Sequence, residues 1–274
     1  MSRLQNTSLV SFTFSTVVLV SLLSVGALAD GQAPARAGAP GPYPRTGLRL
    51  PDMPLDDPWI LAHRPSRTYY LYTSNIARMT GVTRTGTMVY KSKDLASWDG
   101  PFNVFQVPEG FWATQGGWAP EVHEYKGKFY LFTTVHDQQK IIARPPEVVE
   151  TTYARGTIIA VSNSPDGLFT PVKNGPIPPA DLMTLDGTLY VDPAGSPWMV
   201  YAHEWIQARD GTMEAIQLKT DLTDAAPGAP IVLFKASAAP WLDPATPKDH
   251  EMEDLGNNLR VVRERTDLDG PGQW

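Results

Sequence analysis

The sequence predicts an all-β protein of the β-propeller type, and three observations carry that prediction. The first is a repeated hairpin: Asp57-Pro58-Trp59-Ile60-Leu61 with Tyr69-Tyr70-Leu71-Tyr72, Trp118-Ala119-Pro120-Glu121-Val122 with Phe129-Tyr130-Leu131-Phe132, and Leu185-Asp186-Gly187-Thr188-Leu189 with Trp198-Met199-Val200-Tyr201. Each pairs two β-prone runs across a turn bearing Gly, Pro or charged residues. The second is a Gly-Thr start followed by a strand-like body after each hairpin, at Gly86-Thr87, Gly156-Thr157 and Gly211-Thr212. The third is composition: 8 Trp, 10 Tyr and 9 Phe beside 26 Pro and 22 Gly suit loops and aromatic surfaces, not a helical bundle. Four short strands repeated at this scale read as propeller blades. A β-sandwich shares the turn spacing but does not require three parallel matches.

In chain order, residues 9–26 are uncharged, Arg3 precedes them, and Ala27-Leu28-Ala29 ends them. This predicts a secretory signal peptide over 1–29, cut before Asp30. The competing reading, an uncleaved membrane anchor, rests on the near-spanning length of the stretch. Residues 30–54 are rich in Pro, Gly and Ala and read as an extended linker. Residues 55–234 hold the three four-stranded units, opened by Asp57, Trp118 and Asp186 at spacings of 61 and 68 residues. Residues 235–274 lack the pattern and read as a partial fourth blade or an irregular tail.

Composition excludes several functions. The formal net charge of -6 argues against binding a phosphate backbone. With no Cys there is no disulfide scaffold, thiol nucleophile or Cys-ligated metal. The five His are scattered, and neither a Gly-rich phosphate loop nor a nucleophile elbow is present. Export, if the leader is cut, places the product outside the cell or in a periplasm, with no stable hold on a membrane.

Inner-strand openings of successive blades converge on one funnel, so Asp57, Asp186 and Glu121 are brought together by the predicted fold. Carboxylates meeting among aromatic residues suit glycoside hydrolysis, where one acid protonates the leaving oxygen and one base activates water. Crowding of like charge raises the pKa of one member.

The same motifs, Asp57-Pro58-Trp59-Ile60, Trp118-Ala119-Pro120-Glu121-Val122-His123 and Leu185-Asp186-Gly187-Thr188-Leu189-Tyr190-Val191-Asp192, resemble the blade openings of glycoside hydrolase family 43. The resemblance covers about residues 55–234 and implies a five-bladed propeller that cleaves arabinosyl or xylosyl bonds with inversion. It implies Asp57 as general base and Asp186 as the carboxylate that tunes and orients the acid. Trp118 would line the sugar subsite, and Glu121 would support it. The family's acid is a Glu opening the fourth blade, typically before Gly-Pro or Ala-Pro, and no such Glu occurs here. Glu251 and Glu253 lie in an unpatterned polar run. Asp269-Gly270-Pro271 has the right neighbours with a shorter acid, and Glu204 ends the second strand of blade three on the face where Asp186 begins; these two are the acid candidates. His136 and Asn75, read as ending the equivalent strands of blades two and one, are candidates for binding sugar hydroxyls.

No cofactor is required by this reading. Some members of the family hold a calcium ion on the propeller axis, with a ligand from the last blade that is not identifiable here. The expected partner is an oligo- or polysaccharide. Two further blades would need roughly 120–130 residues at this spacing, so the chain reads as C-terminally truncated, with impaired stability and doubtful activity. The alternatives are an inactive propeller that only binds carbohydrate and an unrelated secreted propeller acting as an interaction platform.

Overall fold

The structure is a computed structural model that describes residues 43–143, 151–208, 210–238, 251–254 and 260–263, the last two segments by backbone alone. The predicted signal peptide, residues 30–42 of the predicted linker, and Asp269 lie outside the described residues. Among the described residues, no helix is long and apolar enough to cross a membrane.

The strands are β1 (Arg45–Leu48), β2 (Trp59–His63), β3 (Thr68–Ser74), β4 (Gly86–Ser92) and β5 (Trp98–Gln106), then β6 (Gln115–Tyr125), β7 (Lys128–Ile141), β8 (Tyr153–Ser162) and β9 (Thr170–Pro171). There follow β10 (Thr184–Val191), β11 (Pro197–His203), β12 (Thr212–Gln217), β13 (Ile231–Lys235), β14 (Glu251–Asp254) and β15 (Arg260–Arg263). They form three antiparallel blades, ordered β1-β5-β4-β3-β2, β6-β7-β8-β9 and β10-β11-β12-β13, plus a β14-β15 hairpin.

Period-2 alternation explains why the blades stack. In β7, Phe129 and Leu131 enter a core shared with Tyr70, Tyr72 and Phe105 of blade one. The alternate residues Tyr130 and Phe132 enter a second core with Met199, Tyr201 and Ile216 of blade three. A strand buried on both faces reads as a continuous apolar run, as Phe129-Tyr130-Leu131-Phe132 does. Blade two is therefore sandwiched between the other two, an arrangement of at least three sheets that a two-sheet sandwich does not provide. The turn at Lys126-Gly127 has positive φ at both residues (49° and 75°), the form that matches strand twist in a two-residue hairpin.

Three expectations are corrected. The linker is shorter than 30–54, because β1 pairs with β5. Leu48 and Met53 are buried with Leu71, Met88, Tyr90 and Trp98, so this stretch is a fifth strand and flank of blade one. The run containing Glu251 and Glu253 is patterned after all, since Glu251–Asp254 pairs with Arg260–Arg263. Finally, the third Gly-Thr pair is out of register. Trp59, Glu121 and Thr188 face Tyr72, Phe132 and Val200, which in turn face Val89, Ile159 and Ala215. Counting back two residues puts Met213, not Thr212, level with Thr87 and Thr157. The dipeptide recurs at a turn exit, where several registers accept it.

Candidate active site

The inner strands β2, β6 and β10 lie side by side, with β6 packed against β2 and β3 on one side and β10 on the other. The same register shows which residues open them. Asp57, Ala119 and Asp186 stand two positions before Trp59, Glu121 and Thr188, and all three have left-handed backbone (φ 43°, 42° and 55°). Non-glycine residues seldom hold this conformation, and Asp tolerates it better than most. Trp118 is thus one position earlier than Asp57 and Asp186, level with Asp56 and Leu185. The level positions are pinned alike: Thr73 Oγ1 donates to the Asp56 carbonyl at 2.7 Å and Thr133 Oγ1 to the Trp118 carbonyl at 3.0 Å.

Hydrogen bonds between blades fix the openings. The Asp186 N–H donates to Thr134 Oγ1 (2.9 Å) and the Gly187 N–H to Thr157 Oγ1 (3.0 Å). Ser74 Oγ donates to the Gly117 carbonyl at 2.7 Å. Gly187 is required by close approach, because a Cβ there would lie 2.7 Å from Thr157 Oγ1 and 2.8 Å from Met199 Sδ.

Glu121 sits between these openings. Its Oε2 accepts from Thr188 Oγ1 at 2.5 Å and lies 3.0 Å from His123 Nε2. The Trp59 ring stands 5.2 Å from the His123 ring, and Trp59 Nε1 donates to the Val122 carbonyl. All three inner strands thereby meet here: Glu121 and His123 of β6 join Thr188 of β10 in one polar chain, and Trp59 of β2 packs its ring beside His123.

Asp186 carries the clearest electrostatic signature. Burial raises its carboxyl above the ordinary value, nearby Asp57 and Glu121 raise it further, and Arg155 pulls the other way. Asp186 is nonetheless solvent-exposed. Those four groups are therefore in one field.

The remaining candidates divide. Trp118 stacks on His136, ring centroids 4.4 Å apart, and His136 also faces the Tyr153 ring at 5.6 Å. His136 is buried, and burial and Arg155 lower its pKa against the pull of Asp137. Glu204 forms an ion pair with Arg155, so its carboxylate is tied to a cation. Counting from the common register, Glu204 and His136 are level, and their counterpart in blade one is Ile76, one residue beyond the expected Asn75. The Asn75 amide is engaged within blade one: Nδ2 donates to the Val82 and Arg84 carbonyls, and Oδ1 accepts from Thr80 Oγ1 and Asn103 Nδ2.

Arg155 and Tyr153 were missed by the sequence reading. The available signal was an Arg in the otherwise apolar start of β8, opposite His136 in the sheet. Among the described residues, no cluster of three or more His, Asp or Glu is arranged to hold a metal ion.

Comparisons with known proteins agree with this architecture. Residues 52–248 match the family model described as Glycosyl hydrolases family 43. Over 122 residues, 44% of this chain, the sequence is 28% identical to the xylosidase/arabinosidase 43A of Humicola insolens, of which it covers 31%. The structure of an endo-arabinase from Bacteroides thetaiotaomicron superposes with TM-score 0.61 at 39% identity, over 72% of this chain and 62% of that one. A thermostable family-43 glycoside hydrolase shares the fold, with TM-score 0.53 at 22% identity over 68% of this chain and 55% of that one. The chain thus spans less than two thirds of the length of each of these relatives.

Proposed function

The chain belongs to glycosyl hydrolases family 43, and from that membership we propose that it is an exported glycosidase acting on arabinosyl or xylosyl bonds with inversion. The observation that carries the reading is the pair of Asp residues on matching left-handed openings of the first and third inner strands, with Asp186 in the field of Asp57. The names of the relatives, an endo-arabinase and a xylosidase/arabinosidase, support pentose-containing polysaccharide as the substrate class.

In this mechanism Asp57 accepts a proton from the water that attacks the anomeric carbon, and the leaving oxygen takes a proton from a carboxylic acid on the other side. Asp186 holds negative charge near both and raises the proton affinity of the acid. Trp118, stacked on His136, offers an apolar wall to a sugar ring face. No cofactor takes part. Residues 1–29 act as the leader, and the product is secreted or periplasmic.

Glu204, the acid candidate among the described residues, is engaged in an ion pair with the buried Arg155. That favours a second reading, in which the chain binds carbohydrate without turning it over. The deciding measurement is hydrolysis of nitrophenyl arabinofuranoside, nitrophenyl xyloside and arabinan, with Asp57→Ala alongside. Turnover in the parent, lost by at least about 100-fold in the variant as expected for a missing base, supports the enzyme. Sugar binding without turnover in the parent supports the second reading.

A further inference from the structure

Arg155 lies in β8 and is 4% exposed, yet it touches the candidate active site. Its Nη2 meets Glu204 Oε2 in an ion pair. Its guanidinium carbon lies 5.6 Å from the centroid of the Tyr153 ring, and its Nε finds no acceptor among the described residues. Across the sheet it faces His136, the residue on which Trp118 stacks. The charged and titratable groups around it are Glu204 after β11, Asp186 on β10, His136 and Asp137 on β7, and Tyr153 on its own strand; Asp57 and Glu121 act on Asp186 in turn. Of these, Glu204 is paired with Arg155 directly and Asp186 is coupled to it by charge, and Arg155 is the buried cation that the two share.

Burying a lone guanidinium is costly, and one carboxylate partner offsets that cost only with good geometry. An Arg that needed only a partner would be satisfied by Glu204 in a fork. Two residues further along β8, Thr157 Oγ1 accepts from the N–H of Gly187, the neighbour of Asp186, so Arg155 also stands beside the strand opening that carries Asp186, and Asp186 feels its charge. We infer that Arg155 is a positioning residue: it divides its charge between the carboxylates of Glu204 and Asp186, which come from two different segments of blade three.

The effect on Asp186 is independent of the glycosidase reading; only the effect on rate rests on it. The test uses the full chain and compares Glu204→Gln with Glu204→Gln/Arg155→Met. In both variants Glu204 carries no charge, so removing Arg155 leaves no orphaned carboxylate behind, and a merely structural role for Arg155 is relieved. Side-chain carboxyl carbons are followed through a pH titration by NMR, with the Asp186 signal assigned by its disappearance in Asp186→Asn. The expected result is that the Asp186 titration moves to higher pH when Arg155 is removed, and returns towards the parent position in Glu204→Gln/Arg155→Lys. An Asp186 titration unmoved by loss of Arg155 overturns the inference. Where the parent hydrolyses nitrophenyl arabinofuranoside, the limb of kcat/KM that reports Asp186 moves the same way. A parent without turnover counts against the enzyme, while the NMR titration still decides the role of Arg155.

Discussion

Asp186 is held in two unfavourable states at once, a left-handed backbone and a partly desolvated carboxyl beside Asp57 and Glu121. Because its native pKa is raised, the group favours folding while protonated, and that contribution is lost as pH rises through the native value. Asp186→Asn is therefore expected to be more stable than the parent near neutral pH, measured by urea unfolding. The difference should shrink as pH falls towards the ordinary value of 3.8. An Asn no more stable than Asp near neutrality would contradict that account. Gly187 beside it should be intolerant for a different reason: Gly187→Ala forces a Cβ against Thr157 and Met199. A loss of about 1–3 kcal/mol is expected from such overpacking, read in the same unfolding experiment.

At the scale of elements, the blade openings depend on hydroxyls from the neighbouring blade. Thr157→Val keeps the side-chain shape but leaves the Gly187 N–H without its acceptor. Leaving a buried donor unpaired costs about 1–3 kcal/mol, and the Gly187 amide should lose hydrogen-exchange protection before the rest of blade three does. Unchanged protection there would show that the opening is held by something else. The strands themselves were legible because they alternate or run apolar over five to eight residues, as Tyr69–Thr73 and Phe129–Thr134 do. The register was less legible. Asp57 and Asp186 were aligned correctly with each other, but Trp118 stood in for Ala119 because a large aromatic is a more conspicuous landmark than an alanine. The bulges in β6 at Gly116 to Glu121 break the period that would have revealed the slip.

At the scale of the whole molecule, the outermost strand of blade three differs from the rest. Ile231, Val232, Leu233 and Phe234 are each about half exposed (50%, 52%, 49% and 57%) on an edge strand that pairs only with β12 among the described residues. An apolar edge of this kind promotes association between chains. Val232→Lys with Phe234→Lys is expected to lower concentration-dependent association in sedimentation velocity, while secondary structure is retained. Equal association in the parent and this variant would rule out the strand as the cause.

The sequence by itself determined the all-β class, the three blades and the two inner-strand aspartates. Each of these is written locally, in strand periodicity and in motifs repeated along the chain. Only the tertiary structure decided the membership of β1 in blade one, the out-of-register third Gly-Thr pair, and the pairing of Glu204 with Arg155. It also showed that the Asn75 amide is engaged within its own blade. These are matters of register and of charge brought together across blades, and neither leaves a periodic trace in the chain. A buried arginine on one blade is defined by the carboxylates that the next blade delivers to it.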